Sequence, residues 1–366
     1  MAHLTIIGAG MAGLAAARWL QHQRPALTIT LYEQQRVPGG RVATGRRDRF
    51  AFDHGAQYIK TPTPELERLL TAELPTDALL DIGRPVWIFD RTGAITEGDP
   101  LQNAGPKWTY RDGLDRLAGL LAEGLDIRHD VRIRAIRPTA GDRRRTTDAG
   151  GRMPRYELFD RAGRAAETAA DAVLFTPPAP QVVDILAASD LDAEVKDSLI
   201  EELGKLRYRP CLSLALAYDQ RIVRPFYALV NTDRAHPIAW LACEHDKGPQ
   251  RCPPGHSLLV VQLAPQISRD CWDLSAAELI PIVAEQVSAL LGADLRQPLW
   301  GDLRRWRYAL PDAGADFATL NRIGGAVGLF FAGDYTAGQG RVHLAIASGW
   351  RAAEAIASAL PTASRT

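Results

Sequence analysis

A glycine-rich turn near the start of the chain restricts the fold more than any other feature of the sequence. Leu4–Ile7 is a short apolar run, and Gly8-Ala9-Gly10-Met11-Ala12-Gly13 follows it directly. Leu14–Leu20 then has the pattern of a helix, and a second predicted strand, Leu27–Tyr32, ends in Glu33. A strand, a glycine turn, a helix, a strand and an acidic residue within about 30 residues are typical of a dinucleotide-binding unit.

The three glycines of this turn have separate tasks. Gly8 allows a tight turn, Gly10 lets the backbone approach a pyrophosphate, and Gly13 lets the helix pack closely on the strand. The N-terminus of the helix that follows presents free N–H groups and a partial positive charge to the phosphates, and Met11 and Ala12 of the turn are candidate cofactor contacts. The sequence therefore predicts a phosphate-binding turn.

Glu33 indicates which kind of nucleotide binds at this turn. It lies 20 residues beyond Gly13, at the end of the second predicted strand. A carboxylate at this position accepts hydrogen bonds from ribose hydroxyls, and it repels a 2′-phosphate. This argues against NADP as the dinucleotide of this unit.

Composition excludes several classes of partner. The chain has 366 residues with 43 basic and 43 acidic side chains, so its formal net charge is zero. This length predicts two domains or one two-lobed fold with a large core. A neutral chain has no electrostatic preference for nucleic acid, and no stretch of about 18 uninterrupted apolar residues is present to span a bilayer. We expect neither a nucleic-acid nor a membrane partner; the oligomeric state is left open.

The four cysteines are scattered along the second half of the chain. They lie at Cys211, Cys243, Cys252 and Cys271, without a C-x-x-C pair. They are too few for a disulfide scaffold and wrongly spaced for a zinc site, so we expect reduced thiols, no metal and a cytoplasmic location. The first strand begins near Leu4, which leaves no room for a signal peptide.

The segment after the second strand points to FAD among the dinucleotides. Glu33-Gln34-Gln35-Arg36-Val37-Pro38 is followed by Gly39-Gly40-Arg41, a combination that an NAD domain does not use at this point. An acid followed by Gly-Gly-Arg at this spacing resembles the flavoprotein superfamily of amine oxidases and glutathione-reductase-like enzymes. The resemblance implies that Glu33 and Gln34 bind the adenosine part of FAD. It also implies that Gly40 and Arg41 meet the diphosphate.

A second segment resembles the part of that superfamily that runs beneath the isoalloxazine ring. It reads Asp53-His54-Gly55-Ala56-Gln57-Tyr58. The resemblance implies that Gly55 and Ala56 let the backbone approach the flavin. It also implies that Gln57 and Tyr58 point towards the substrate, while His54 is a surface or core histidine.

A third segment lies near the C-terminus. A predicted strand over Leu329–Ala332 is followed by Gly333-Asp334, and Gly340-Arg341-Val342 precedes a long predicted helix, Val342–Leu360. The resemblance implies that Asp334 bonds the ribityl chain and that the start of the helix, at Arg341 and Val342, faces the flavin pyrimidine. Because Gly333–Val342 contains no cysteine, we expect FAD to be bound non-covalently.

Weaker signals lie between these segments. Asp126–Ile136 has the alternation of one strand, and the resemblance implies an adenine contact from the backbone of Ile133. The apolar run Val173–Phe175 ends in Thr176-Pro177-Pro178, and Thr176 is the candidate for a second contact near the adenine.

Cofactor motifs at both ends and in the middle of the chain require a discontinuous FAD-binding domain. The predicted fold class is α/β: a Rossmann-like FAD-binding domain of the glutathione-reductase or amine-oxidase type, with a second α+β substrate lobe of mixed sheet and helices. The predicted FAD-binding domain comprises 1–60, 106–180 and 320–366. The substrate lobe comprises 61–105 and 181–319, with strands over Cys211–Tyr218, Ile238–Cys243 and Leu258–Leu263, and Thr139–Arg164 is predicted as an exposed hairpin.

Later segments resemble one family within the superfamily, the renalases, and in particular the bacterial ones. These segments are Lys107-Trp108 through Gly113, Trp240-Leu241-Ala242 with the Lys247 that follows, and Arg305-Trp306-Arg307-Tyr308-Ala309. The resemblance covers nearly the whole chain, whereas the N-terminal motifs are common to the superfamily. It implies that Trp306 contacts the flavin.

Two positions depart from the renalase pattern. Gln262 stands where the family has an active-site histidine, and Glu244 stands where it has an asparagine. A shifted alignment would let nearby His245 fill the histidine's role.

The resemblance implies hydride transfer from a reduced substrate carbon to flavin N5, with reoxidation by O2 to H2O2. The implied substrates are isomeric dihydropyridine forms of NAD(P). Hydride loss from such a substrate leaves an aromatic cation and needs no strong base, so positioning against the ring does most of the work. Candidate catalytic residues are the polar and aromatic side chains Gln57, Tyr58, Tyr208, Trp240, Gln262 and Trp306, with Tyr308 as a further wall residue.

Two alternatives stay open. A flavin amine oxidase uses a lysine near the flavin, for which Lys60 and Lys205 are the candidates, although neither lies in a segment that resembles that role. A protein of another class, a non-catalytic FAD-binding sensor or partner protein, is equally compatible with the cofactor motifs.

Overall fold

The computed structural model describes residues 2–140 and 153–361. Within these ranges the chain forms two compact units. The first unit comprises the described parts of Met1–Gly40, Leu117–Tyr208 and Leu310–Thr366, and the second comprises Arg41–Arg116 and Arg209–Ala309.

The described ranges contain the following helices: α1 (Met11–Gln23), α2 (Pro64–Arg68), α3 (Pro100–Asn103), α4 (Asp115–Ala122), α5 (Ala179–Ala187), α6 (Ala193–Gly204), α7 (Pro265–Asp270), α8 (Ala276–Leu291), α9 (Phe317–Gly325) and α10 (Val342–Ala359). A π-helical turn, Leu69–Glu73, follows α2, and 3-10 turns lie at Glu244–Asp246 and Asp334–Thr336. Among the helices that the structure describes, none combines the length and the apolarity required to cross a bilayer.

The strands of the described ranges are β1 (His3–Ile7), β2 (Thr28–Tyr32), β3 (Thr44–Arg47), β4 (Phe50–Asp53), β5 (Leu79–Asp81), β6 (Val86–Phe89), β7 (Ile95–Thr96), β8 (Trp108–Tyr110), β9 (Asp126–Arg128), β10 (Ile133–Pro138), β11 (Tyr156–Asp160), β12 (Ala165–Ala170), β13 (Ala172–Phe175), β14 (Tyr208–Tyr218), β15 (Ala228–Asn231), β16 (Ile238–Cys243), β17 (Ser257–Leu263), β18 (Trp300–Pro311) and β19 (Leu329–Phe331).

The first unit is built on a five-stranded parallel sheet. Its strand order is β19-β13-β1-β2-β9, which brings the C-terminal β19 into the same sheet as β1. Strands β1 and β13 near its centre are buried almost throughout because a parallel sheet is covered on both faces. Helix α1 packs on α10 so closely that a Cβ on Gly349 would lie 2.3 Å from the Ala12 carbonyl oxygen. The discontinuous Rossmann-like fold is thereby confirmed.

A second sheet of the first unit corrects two predictions. Asp126–Ile136 is not one strand, because the chain breaks at Asp130 (φ +58°) and leaves the parallel sheet for an antiparallel sheet of order β10-β11-β12. The predicted excursion Thr139–Arg164 is not exposed throughout, because Tyr156 and Leu158 of β11 are buried in the core. Residues 141–152 of it lie outside the described ranges.

The second unit holds a seven-stranded sheet of order β18-β14-β17-β16-β15-β6-β7. Alternate residues of β17 face opposite sides, as a strand requires. Leu259 and Val261 pack in one core with α8, whereas Leu258 and Val260 pack in another with Phe52 of the β3–β4 hairpin. The strands expected over Cys211–Tyr218, Ile238–Cys243 and Leu258–Leu263 correspond to β14, β16 and β17.

The boundaries of the two compact units along the chain differ from those of the predicted lobes. Residues 41–60 belong to the second unit, because Phe50 and Phe52 of the β3–β4 hairpin pack against the seven-stranded sheet. Residues 181–208 belong to the first unit, because α5 and α6 bury Val182, Leu199 and Leu203 in its core.

Candidate functional site

The glycine turn of the first unit forms the expected cradle. Gly8 has a φ of +96°, and a Cβ on Gly13 would lie 2.2 Å from the Gly8 carbonyl oxygen, so the helix can approach the strand only with glycine there. Gly10 is the N-cap of α1, without a side-chain hydrogen bond, and a Cβ on it would meet nothing within 4 Å. The turn leaves open space at Gly10 and an uncapped helix start at Met11 and Ala12, as a bound phosphate requires.

Thr176 lies against this turn. Its hydroxyl donates to the carbonyl oxygens of Ile7 (2.8 Å) and Gly8 (2.9 Å). The side chain therefore supports the turn, and the predicted adenine contact of Thr176 stays a prediction.

Glu33 ends β2 next to the same turn. Its carboxylate accepts hydrogen bonds from the backbone N–H groups of Ala9 (2.9 Å) and Gln35 (2.9 Å). Burial raises the pKa of Glu33, although these hydrogen bonds oppose the rise. Gln34 and the connection into β10 line a cavity of about 420 Å³. The predicted adenosine contacts of Glu33 and Gln34 stay predictions.

The C-terminal segment of the first unit also has the expected form. Gly333 (φ +154°) donates its N–H to the Ser348 hydroxyl at 2.6 Å, and the adjoining Asp334 is buried. Arg341 is the N-cap of α10 without a side-chain capping bond, and Val342 is its first residue. Two uncapped helix starts and an open glycine turn fit a cofactor with a diphosphate and an electron-accepting ring.

Two further predicted residues lie in the first unit. The Ile133 side chain is buried in its core, which leaves the backbone for the predicted adenine contact. The Tyr208 hydroxyl accepts a hydrogen bond from the N–H of Ala179 (3.3 Å) at the start of α5. Tyr208 is thus placed in a different unit from the other catalytic candidates.

The segment Asp53–Tyr58 of the second unit is held by side chains that bond its carbonyl oxygens. Trp306 Nε1 donates to the carbonyl of His54 at 2.8 Å, and Gln262 Nε2 donates to that of Gly55 at 2.8 Å. The Tyr227 hydroxyl donates to the carbonyl of Gln57 at 3.3 Å. A Cβ on Gly55 would lie 2.0 Å from the Arg41 carbonyl oxygen, so this position, like Gly13, requires glycine.

Three aromatic rings group beside this segment. The ring centroids of Tyr58, Tyr227 and Trp240 lie 6.2–6.5 Å apart. Gln262 is the direct cross-strand partner of Trp240 in the β16–β17 pair. The structure thus brings together Tyr58, Trp240 and Gln262 as predicted neighbours, and adds Tyr227.

Four ionic side chains lie together at the segment Asp53–Tyr58. They are Asp53, Glu244, Lys247 and Arg251, and we call them the ion cluster. All four side chains are fully buried. Lys247 Nζ lies 3.0 Å from Asp53 Oδ2 and 2.9 Å from Glu244 Oε2. The guanidinium of Arg251 lies 2.9 Å from each of the same two carboxylates. Two positive and two negative charges balance one another.

Sequence reasoning missed the ion cluster. Glu244 and Lys247 were noted only for their place in the family pattern, and Arg251 was not noted at all. Their spacing after β16 was the available signal, but a charged run after a strand is usually solvated.

Gln57 lies on the ion-cluster side of the segment. Its Nε2 donates to the carbonyl oxygens of Asp53 and Gly55, and Lys247 Nζ lies 3.4 Å from its Oε1. The buried ammonium thus offers its amide oxygen a charged donor, and the expectation that Gln57 points towards the substrate stays a prediction.

Arg41 is placed in the second unit. Its guanidinium donates to the carbonyl oxygens of Tyr308 (3.3 Å) and Ala309 (3.0 Å) at the end of β18. The predicted diphosphate contacts of Gly40 and Arg41 stay predictions.

His245 does not take the place of a histidine at Gln262. Its Nδ1 accepts a hydrogen bond from the N–H of Leu258 at 3.1 Å, and its Nε2 donates to the carbonyl oxygen of Ile222 at 3.0 Å. Cys243, His245 and Asp246 lie close together, but Asp246 already pairs with Arg221 at 2.8 Å and with Arg84. The group is therefore part of the packing of this strand end.

His54 stacks beside Trp306, with ring centroids 5.7 Å apart. Burial, and then the positive charge of Arg304, lower the pKa of His54 to about 4 from the ordinary 6.5. The guanidinium of Arg304 lies 5.0 Å from the Trp306 ring centroid. His54 is consequently neutral at physiological pH.

Replacing Arg304 by glutamine should raise the pKa of His54 while leaving it below 6.5, since burial remains. The measurement is an NMR titration of the His54 ring protons. Arg305→Gln is the matched control, because Arg305 lies on the opposite face of β18 and donates to the carbonyl of Trp272 at 2.8 Å. Equal His54 pKa values in wild type and Arg304→Gln would show that Arg304 has no such effect.

Comparison with known proteins places the chain in a family. Residues 91–357 match the family described as flavin containing amine oxidoreductase, and residues 6–72 match the NAD(P)-binding Rossmann-like domain. Over 87 residues the chain is 35% identical to coproporphyrinogen III oxidase of Staphylococcus aureus. That match covers 24% of the chain and 19% of the relative, so it spans only about a fifth of the relative's length.

Solved structures share the fold along nearly the whole chain. A protein from Exiguobacterium sp. 255-15 that bears the name protoporphyrinogen oxidase superposes with a TM-score of 0.76 at 21% identity, covering 97% of this chain and 98% of its own. Putrescine oxidase bound to putrescine superposes with a TM-score of 0.68 at 14% identity, covering 98% and 99%. The first of these family matches spans well over half of the residues, and the chain belongs to the flavin containing amine oxidoreductase family.

Proposed function

We propose that the protein removes a hydride from an isomeric dihydropyridine form of NAD(P), as a renalase-like oxidase with non-covalent FAD. The donor C–H bond breaks, its electron pair leaves with the hydride, and the ring becomes an aromatic pyridinium. FAD, when bound, supplies the acceptor for these two electrons and returns them to O2, which becomes H2O2 with two protons.

The observation that supports this reaction is the lack of a strong base beside the aromatic group, among the residues that the structure describes. The carboxylates of Asp53 and Glu244 are held in the ion cluster. Burial raises the pKa of Tyr227 well above 10, and His54 is a weak base because its pKa is about 4. Gln262 is a neutral amide that donates to the carbonyl of Gly55.

The side chains around Gly55 have positioning tasks in this proposal. Tyr58 and Trp240 provide flat apolar surfaces for a pyridine ring, and Gln262 and Trp306 hold the carbonyls of the segment behind it. Holding a donor carbon against an acceptor lowers the barrier without proton transfer.

Amine oxidation is the second candidate, since the same three aromatic rings suit a small amine. Both lysines considered for that chemistry have other partners. Lys60 donates to the carbonyl of Gln102 at 3.0 Å, and Lys205 is paired with Glu202 at 2.5 Å. Neither contact favours the lysine of an amine oxidase.

The test is anaerobic mixing of the FAD-loaded protein with reductants while the flavin absorbance is recorded. The panel contains 2- and 6-dihydronicotinamide isomers, benzylamine, and two compounds suggested by the names of the relatives: putrescine and coproporphyrinogen III. Fast bleaching by the isomers alone supports the proposal. Bleaching by an amine or by the porphyrinogen replaces it with that substrate class, and bleaching by none favours a binding protein without turnover.

The rate of reduction by a dihydronicotinamide isomer should stay constant within about twofold from pH 6 to pH 9. The reason is that hydride loss from this donor requires no proton transfer to a group of the described site. Amine oxidation should instead become faster as pH rises, because only the neutral amine loses a hydride. Stopped-flow reduction across this range measures the difference, and a sigmoidal profile with the isomers would reveal an essential base.

A further inference from the structure

A contribution to stability alone does not explain why the ion cluster is buried at the segment Asp53–Tyr58. Buried ion pairs are weak sources of stability, since apolar residues of similar volume often serve as well. Besides Asp53 itself, whose N–H donates to Glu244 Oε1 at 3.1 Å, the side chains of the cluster reach the segment at the amide of Gln57. That contact links the buried charges to the segment.

The geometry at Lys247 shows how the link works. Its ammonium donates to Asp53 Oδ2 at 3.0 Å and to Gln57 Oε1 at 3.4 Å, and it forms an ion pair with Glu244 Oε2 at 2.9 Å. Because the ammonium takes the amide oxygen, the amide nitrogen of Gln57 must turn the other way. It donates there to the carbonyl oxygens of Asp53 and Gly55.

Arg251 completes the arrangement without touching Gln57. Its guanidinium bonds both carboxylates and also donates to Thr109 Oγ1 at 3.0 Å and to the carbonyl of Tyr110 at 2.9 Å. It thereby balances the second negative charge of the cluster. Because the cluster then has no excess negative charge, the position of Lys247 is determined by its individual contacts.

We propose that Lys247 is a positioning residue. Held between Asp53 and Glu244, it orients the amide of Gln57, and that amide holds the carbonyl of Gly55 and the turn that follows. The inference rests on the proposed function in one respect, namely that this turn lies beside bound FAD.

Two variants separate positioning from charge balance. Glu244→Gln with Lys247→Met removes one negative and one positive charge, so the neutral cluster keeps the Asp53–Arg251 pair but loses the contact to Gln57. Gln57→Leu leaves all four ions in place and removes the amide. If positioning runs through this one contact, both variants must release the same turn.

Hydrogen exchange measured by mass spectrometry on the full-length, FAD-loaded protein tests this. In both variants we expect amides of 53–59 to exchange about tenfold faster, the change that loss of a charge-assisted hydrogen bond produces. Peptides from β1 and α1 should exchange at the wild-type rate. The visible circular dichroism of the flavin should change in the same way in both variants, and the three substitutions together should add nothing further.

Wild-type exchange over 53–59 in the Glu244→Gln/Lys247→Met variant would overturn the proposal, because Lys247 would then only balance charge. Should that variant fail to fold, wild-type exchange and flavin dichroism in Gln57→Leu would overturn it equally. Exchange needs no substrate, so a wild-type protein that binds FAD but oxidises no dihydronicotinamide would contradict the proposed function alone.

Discussion

Replacing Gly10 by alanine should abolish FAD binding while the fold of the apoprotein stays intact. A Cβ on Gly10 meets no protein atom within 4 Å, and its φ of −79° suits alanine. The same methyl group would occupy the space at the uncapped start of α1, where a pyrophosphate approaches the backbone. We expect FAD affinity to fall at least about a hundredfold, or about 3 kcal/mol.

Fluorescence titration of the apoprotein with FAD measures this loss, and thermal unfolding of the apoprotein measures the fold. Gly13→Ala is the matched control, because its Cβ would lie 2.2 Å from the Gly8 carbonyl oxygen. That variant should lose about 1–3 kcal/mol of stability even without FAD, as an overpacked site does. If Gly10→Ala binds FAD with the affinity of the wild type, the dinucleotide does not bind at this turn.

The glycine turn could be predicted from sequence because all of its determinants are local. The strand, the turn, the helix and Glu33 lie within one short stretch, and each glycine answers to a steric need that its neighbours impose. The C-terminal elements β19 and α10 were located by motif alone; in the structure β19 pairs with β13, the neighbour of β1, and α10 packs on α1.

The ion cluster could not be predicted in this way, because its members come from distant parts of the chain. Asp53 lies almost 200 residues before Lys247 (|i−j| = 194), and nothing in either stretch indicates full burial. The orientation of the Gln57 amide depends on the contact with Lys247, so it could not be predicted from the local sequence either. The break at Asp130 was missed for another reason: two short strands with the same alternation read as one.

Replacing Arg251 by methionine should strongly destabilise the second unit at neutral pH. The variant keeps the carboxylates of Asp53 and Glu244 but has only Lys247 to compensate them, so one buried negative charge has no partner. Breaking a buried pair in this way costs about 3–5 kcal/mol. Urea unfolding at pH 7 measures the loss.

The loss should depend on pH with a definite sign. Burial raises the pKa of Asp53, but the charges of Arg251 and Lys247 and their hydrogen bonds outweigh it and hold the pKa well below its ordinary value. In the wild type, ionised Asp53 therefore contributes stability above about pH 4, which is lost as pH falls further. Without Arg251 only Lys247 opposes the effect of burial, so the pKa of a carboxyl of the cluster should rise and its protonation on acidification should relieve the unpaired charge.

The stability difference between wild type and Arg251→Met should thus be largest at pH 7 and smaller at pH 5. Arg251→Met combined with Glu244→Gln restores charge balance and should recover most of the loss at pH 7. Arg68→Met breaks the exposed pair with Glu73 at 2.8 Å. It should leave the free energy of unfolding unchanged within the error of the measurement at either pH. A loss in Arg251→Met that is the same at both pH values and is not recovered in the double variant would mean that Arg251 acts through packing, and that the four charges do not depend on one another.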